Sequence, residues 1–296
     1  MNLQYKRLHP TFVAEVSTPI DLRRVDDDET LEAIRAGMYE HAVLVFRDQG
    51  FSGTEQLEFA RRLDGELHAK TGASAIVKNR FGDEALTDIS NVDAEGAIMA
   101  RDDRRRLYGL ANRLWHTDAS FQDPPGRYSM LFARVLPVNP PPTEFADTRT
   151  AYDRLDAAYK ARLEGLEVHH SIAYSRETLG FDFSAQEKEQ LKGAIHPLVR
   201  HFPENDRRAL YVASHASRIL GWSLPEGRLL IRDLMERCTL PDLVYSHAWQ
   251  AHDLVIWDNR ATMHRAMSFD DTNQRRELHR VTTLDLPLPV SMARSA

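Results

Sequence analysis

One cysteine, Cys238, occurs in 296 residues. No intrachain disulfide can form, which excludes a cross-linked secreted scaffold and fits a reducing compartment. With no base placed beside it in the amphipathic run LLIRDLMERCTL, Cys238 reads as a small core residue and not as a nucleophile. No stretch approaches 18 uninterrupted apolar residues, so no membrane-spanning helix is expected. The opening MNLQYKRLHPTF lacks the apolar run of a signal peptide, and the expected location is cytoplasmic. Nor is there an excess of one charge. Lys and Arg number 38 against 44 Asp and Glu, a net charge of −6, which provides no electrostatic ground for a nucleic-acid or acidic-membrane partner. Internal repeats, low-complexity tracts and Gly/Ser tethers are also missing. The expectation is one continuous domain over residues 1–296, long enough to bury a large core.

What is present is a helical opening followed by many short strands. The acidic cluster in VDDDETLEAIRAGMYEH can cap a helix whose apolar positions recur at helical spacing. AVLVFRDQ follows as a buried-strand candidate, and Ser52 with Glu55 forms a capping box for the helix in FSGTEQLEFARRLDG. These elements make up a helical N-terminal part over about 1–65. Residues 66–86 have weak periodicity and are expected to form an active-site loop. From LTDISNV onward, over about 87–290, short strands dominate, with one or two helices inserted at about 147–166. HPLVRHFPENDRRALYV and LVYSHAWQAHDLVIWDN each carry a hairpin signal, the second turning at QAHD. PEGRLLIRDLMERC reads as a further helix, and QRRELHRVTTL as a final alternating strand. The expected fold is α+β and mainly β: a double-stranded β-helix, or jelly roll, with flanking and inserted α-helices.

The chemistry-bearing residues begin with LWHTDASFQ. On a strand, residues two apart share a face, so His116 and Asp118 project together and Thr117 points away. One imidazole nitrogen and one carboxylate oxygen on the same side are two facial metal ligands, and a non-heme iron site needs one more, commonly histidine. Alone, this pair reads equally well as a polar strand end. His264, in VIWDNRATMHRAMSF, lies just past a strongly apolar strand and a turn-like DNR. His169, His170, His215 and His247 have no comparable partner set and read as strand or loop residues. The four tryptophans, Trp115, Trp222, Trp249 and Trp257, read as core, with Trp115 beside a ligand able to shape a pocket. Twelve residues after His264, Arg276, Leu278 and Arg280 share one face of the last strand, with the two guanidiniums about 13 Å apart. Interior arginines are costly without an anion, and two anionic ligands would settle that cost.

Taken in order, LWHTDASFQ, TEFADTRTAYD, WDNRATMHR and RRELHRVTTL resemble the iron(II)- and 2-oxoglutarate-dependent dioxygenases of the taurine dioxygenase group, most closely the 2,4-dichlorophenoxyacetate branch. The resemblance runs over nearly the whole chain. It implies that His116, Asp118 and His264 are the metal ligands and the catalytic centre. It further implies that Thr143 hydrogen-bonds 2-oxoglutarate, that Arg276 holds its distal carboxylate, and that Arg280 binds the acid group of the substrate. Asn112 and Lys70 match substrate-pocket positions. Fe(II), 2-oxoglutarate as cosubstrate and O2 are thus implied, along with a small anionic organic substrate and, by family analogy, a homo-oligomer.

The implied reaction hydroxylates the carbon beside the ether oxygen of an aryloxyalkanoate, giving a phenol and glyoxylate with succinate and CO2. A carboxylate at Asp118 favours hydroxylation over halogenation, because halogenating relatives lack it. A taurine, alkylsulfonate or alkyl-sulfate dioxygenase is the alternative with the same iron chemistry. A zinc hydrolase and a non-catalytic jelly-roll binding protein are the alternatives of other classes.

Overall fold

The structure is a computed structural model and describes residues 2–69 and 80–287. The strands in chain order are β1 (Tyr5–Arg7), β2 (Ala14–Val16), β3 (Val43–Phe46), β4 (Thr87–Ser90), β5 (Gly126–Val135), β6 (Thr143–Asp147), β7 (Glu167–His170), β8 (Ala194–Pro197), β9 (Val199–Phe202), β10 (Arg207–Leu210), β11 (Ala216–Ile219), β12 (Val244–His247), β13 (Leu254–Asp258), β14 (Thr262–Ala266) and β15 (Glu277–Leu284). The helices are α1 (Asp28–His41), α2 (Gly53–Asp64), α3 (Arg104–Gly109), α4 (Thr148–Asp153), α5 (Ala157–Leu163), α6 (Ile172–Glu177), α7 (Ala185–Gln190) and α8 (Leu224–Cys238). The fold is therefore mixed α/β with sheet predominating, and no described helix is long and apolar enough to cross a membrane.

A seven-stranded sheet in the order β1-β2-β3-β13-β5-β15-β4 forms the main layer, and a three-stranded sheet β12-β6-β14 faces it. Strand periodicity explains why the main sheet is buried on both sides. In β13, Leu254 and Ile256 join the core beneath α1 and α2, whereas Val255 and Trp257 join the core against the smaller sheet. β3 and β5 divide in the same way: Leu44, Phe46, Met130 and Phe132 face the helices, and Val43, Val45, Leu131 and Ala133 face the other sheet. Phe145 of β6 closes that second core, with its ring 5.5 Å from Trp257. The far side of the small sheet, through Ala146 and Met263, packs on α8 and the sheet β11-β7-β8.

Local signals account for the helix ends. Asp27 accepts a hydrogen bond from the Thr30 amide and starts α1. Ser52 and Glu55 form the reciprocal capping box of α2. The inserted helical stretch is two helices, α4 and α5, each capped by an aspartate. Cys238 ends α8 buried in the core, where burial pushes its thiol pKa up.

Two expectations need correction. Residues 244–258 do not form a hairpin: β12 pairs with β6, whereas both edges of β13 are taken by β3 and β5. The segment between them crosses from one sheet to the other, anchored by buried Trp249, whose indole donates to Thr143 Oγ1 at 3.0 Å. Residues 116–118 do not form a strand: His116 makes an isolated bridge to His264 and Asp118 lies in the turn that follows. AVLVFRDQ does form β3, and β1 and β2 join it in the main sheet. The hairpin in 196–212 does form, as β9 paired with β10.

Candidate active site

His116 and His264 sit opposite each other across a two-residue bridge between the segments that carry them. The His116 amide donates to the His264 carbonyl at 3.0 Å, and the His264 amide returns the bond at 2.8 Å. Their rings lie 4.1 Å apart. Asp118, two residues along, points to the same side, while Thr117 turns away and donates to the Asn259 carbonyl at 2.6 Å. One ligand atom from each of His116, Asp118 and His264 lies within 4.8 Å of the other two, and all three residues are buried. His264 Nε2 is 3.7 Å from Asp118 Oδ2, a separation compatible with two donors each about 2.1 Å from one ion. Two neutral nitrogens and one carboxylate oxygen on one side form a facial donor set of the kind that binds iron(II) and leaves positions open.

The surroundings hold each donor in the form a metal requires. His116 Nδ1 pairs with the Leu114 carbonyl at 2.8 Å, which fixes its proton there and leaves Nε2 free. Burial lowers the His116 pKa to about 4 despite the opposing pull of Asp118, so the ring is neutral at pH 7. Burial acts on Asp118 in the other direction. The Arg280 guanidinium, the two histidines and the Ser129 hydroxyl outweigh it and hold the carboxyl down at about 2. Ser129 donates to Asp118 Oδ2 at 2.7 Å, and Arg280 Nη1 donates to Oδ1.

Asn259 joins these parts. Its side-chain oxygen accepts from the Asp118 amide at 3.0 Å and from the Trp257 indole at 2.9 Å. Its amide nitrogen donates to Ser129 Oγ at 2.9 Å. Gly126 lies against the same loop, where an added Cβ would come 3.1 Å from the Asp118 carbonyl and 2.8 Å from Thr282.

The triad opens into a cavity of about 570 Å³ lined by Thr143, Arg276, Arg280 and Asn112 among others. Thr143 Oγ1 already accepts the Trp249 indole proton, so its own hydroxyl proton is free to be donated. Arg276 is fixed by its backbone: Asn91 Oδ1 accepts its amide proton at 2.8 Å. Its Nε is buried without a partner, and burial alone lowers its pKa to about 10. Arg276 and Arg280 thus look into one space, while His279, on the opposite face of β15, packs against Phe81 with the rings tilted and their centroids 4.2 Å apart. Asn112, on a short 3₁₀ turn, accepts from Arg176 at 3.3 Å. Lys70 lies outside the described residues, as does the middle of the 66–86 segment. The described end of that segment reaches the cavity through Arg80, Gly82 and Glu84.

Sequence reasoning passed over four residues. Asn259 was in view as part of the DNR turn, but its role depends on contacts 130 to 142 residues away. Ser129 lies inside an apolar strand with nothing to mark it. His215, set aside for want of partners, lines the cavity with its ring 6.1 Å from that of His116. Arg176 lines it as well.

Comparison with known proteins bears on this geometry. Residues 4–282 match the family described as Taurine catabolism dioxygenase TauD, TfdA family. An alpha-ketoglutarate-dependent 2,4-dichlorophenoxyacetate dioxygenase from Cupriavidus pinatubonensis is 41% identical over 286 residues, covering 96% of this chain and 99% of the relative. An (S)-phenoxypropionate/alpha-ketoglutarate-dioxygenase from Sphingobium herbicidovorans is 33% identical, covering 92% of each chain. A crystal structure of AAD-2 in complex with Mn(II) and N-oxalylglycine superposes with a TM-score of 0.91 at 40% identity, covering 98% of this chain and 100% of the other.

Proposed function

We propose, from the premise that this chain belongs to the Taurine catabolism dioxygenase TauD, TfdA family, that His116, Asp118 and His264 hold its metal and that an aryloxyalkanoate is its substrate. The protein is an iron(II)- and 2-oxoglutarate-dependent dioxygenase (2-oxoglutarate being alpha-ketoglutarate) that acts on a small organic substrate. The observation that carries the reading is the buried triad opening into the same cavity as Arg276, a buried guanidinium with no partner for its Nε.

When bound, iron(II) supplies the oxidative chemistry: O2 converts 2-oxoglutarate to succinate and CO2, and one oxygen atom enters a substrate C–H bond. The chain's own residues orient and exclude. Leu114 keeps the His116 proton on Nδ1, and Ser129 and Arg280 each donate to one oxygen of Asp118 and so fix the carboxylate's orientation. Arg276 takes the distal carboxylate of 2-oxoglutarate through a charge-assisted pair, and Thr143 donates its hydroxyl proton to the same molecule. Arg280 uses one Nη on Asp118 and offers its remaining edge to the acid group of the substrate. Asn112 shapes the pocket wall, and Lys70 is assigned to the substrate by family position alone. Hydroxylation at the carbon beside the ether oxygen gives a hemiacetal, which separates into a phenol and glyoxylate. By family analogy the facing sheets are the jelly-roll core, the assembly is a homo-oligomer and the location is cytoplasmic.

A substrate panel tests this reading. Phenoxyacetate, phenoxypropionate, taurine and an alkyl sulfate are each supplied with iron(II), 2-oxoglutarate and air, and succinate is measured. The expected order places an aryloxyalkanoate first. Taurine as the sole good substrate overturns the assignment, and so does an alkyl sulfate in that position.

A further inference from the structure

Among the described residues six arginines are buried: Arg35, Arg127, Arg149, Arg176, Arg260 and Arg276. Four of them meet a carboxylate. Arg35 lies 2.8 Å from Glu32, Arg127 2.7 Å from Asp64, Arg149 3.6 Å from Asp147 and Arg260 2.7 Å from Asp258. Arg276 and Arg176 have no carboxylate within ion-pair distance among the described residues, and both line the cavity. A buried cation without an anion is unfavourable, so an arginine left in this state facing a cavity marks where an anion goes. The distal carboxylate of 2-oxoglutarate answers Arg276. Nothing assigned so far answers Arg176.

Its neighbours are all neutral acceptors. Nη1 meets His215 Nε2 at 3.1 Å and Ser175 Oγ at 3.2 Å, and Nη2 meets Asn112 Oδ1 at 3.3 Å. The Tyr108 ring lies under the guanidinium at 4.8 Å. Arg176 Nε and the Tyr108 hydroxyl are both buried with no hydrogen-bond partner. Arg176 and Arg280 line the same cavity, and the charges of both Arg280 and Asp118 act on Arg176, although Asp118 lies beyond ion-pair distance of it and is engaged by Arg280. Arg280 cannot offer its whole fork there, because one Nη is held by Asp118.

We propose that Arg176 is a second anchor for the acid group of the substrate, forming with Arg280 a two-arginine cradle, and that the Tyr108 ring and Asn112 hold it in place. The inference rests on the reading above that the substrate is an aryloxyalkanoate. It adds a specificity determinant: the enzyme selects anionic substrates by two guanidiniums from different elements, one on α6 and one on β15.

The test compares 2,4-dichlorophenoxyacetate with its neutral counterpart 2-(2,4-dichlorophenoxy)ethanol in the full-length enzyme and in R176Q and R176K. Succinate release provides KM values. Calorimetric titration of the metal-free protein with each compound provides a readout independent of turnover. Loss of a charge-assisted bond is expected to raise KM for the acid roughly tenfold to a hundredfold in R176Q. KM for 2-oxoglutarate and for the alcohol should stay within about twofold, and R176K should recover part of the loss. An unchanged KM for the acid in folded R176Q overturns the proposal. Equal losses for acid and alcohol also overturn it, since they assign Arg176 to supporting the wall. If R176Q does not fold, R176K alone decides, by the same contrast between acid and alcohol. Wild-type enzyme that releases no succinate with any aryloxyalkanoate fails the functional reading itself, and the cradle falls with it.

Discussion

Arg127 and Arg276 each keep 8% of their surface exposed, yet they stand in opposite electrical surroundings. Arg127 belongs to a closed cluster where the ends of α2, β5 and β15 meet. It donates to Asp64 at 2.7 Å and to Asp285 at 3.1 Å. Arg260 bridges Asp258 and Asp285, Arg200 also reaches Asp285, and Thr283 donates to the second oxygen of Asp64. Every carboxylate there is matched within the chain. Arg276 and Arg176 face the cavity with neutral acceptors or none. The same side chain at the same depth thus serves two purposes. Matched, it fastens distant segments to one another. Unmatched, it is a receptor whose counter-charge must arrive from outside.

Asp118→Ala moves one residue across that divide, because it strips Arg280 of its carboxylate. Succinate release is expected to vanish with every panel substrate while circular dichroism stays that of a folded protein. Retained turnover removes Asp118 from the ligand set. The next-largest effect comes from a pair of changes. Asp64→Ala opens the closed cluster and is expected to cost about 3 kcal/mol of stability, read from the denaturant midpoint, with KM for 2-oxoglutarate unchanged. Arg276→Gln works in reverse. It should leave the midpoint unchanged or raise it, and it should increase KM for 2-oxoglutarate roughly tenfold or more. If Arg276→Gln destabilises the protein as much as Asp64→Ala does, the distinction between the two regions fails.

Acid reaches the closed cluster through Asp64, whose carboxyl burial raises to about 6 against the pull of Arg127, and it bears as well on a histidine outside both arginine sets. Burial, followed by the neighbouring His196 and His169, lowers the His170 pKa to about 3. Between that value and the ordinary 6.5, the unfolded chain takes up a proton that the folded chain refuses, so stability falls as pH drops below 6.5. His170 alone accounts for about 1.4 kcal/mol between pH 7.5 and 5.5. Chemical denaturation of wild type and His170→Gln at the two values checks this. The wild type should lose more, and equal losses would show that His170 is not the source.

The parts of this molecule that were legible in its sequence are those that repeat at short range. Leu254 to Trp257 send alternate side chains to two cores, and Ser52 with Glu55 caps its helix, because both patterns depend only on local backbone geometry. His116 and Asp118 reach one side by another route, since His116 makes an isolated bridge and Asp118 lies in the turn after it, so strand alternation does not bring them together. Pairing between strands depends on closure of the whole sheet, so 244–258 read as a hairpin although its halves belong to different sheets. Arg176 was illegible because its significance is a negative one. Nothing in SIAYSRETLGF shows that no carboxylate will come near it.

Asn259 has a consequence of a different kind. Its oxygen receives protons from the Asp118 amide and the Trp257 ring, and its nitrogen delivers protons to Ser129 Oγ and the Arg127 carbonyl. Aspartate has the same shape but lacks those N–H groups, so the contact with the Arg127 carbonyl would turn to repulsion and the single Ser129 hydroxyl proton would be contested between Asp118 and the new carboxylate. Spontaneous conversion of this one amide to an acid would change the molecule by one mass unit and no measurable volume. The slow chemical ageing of a single side chain could therefore retire the site while the fold around it persists.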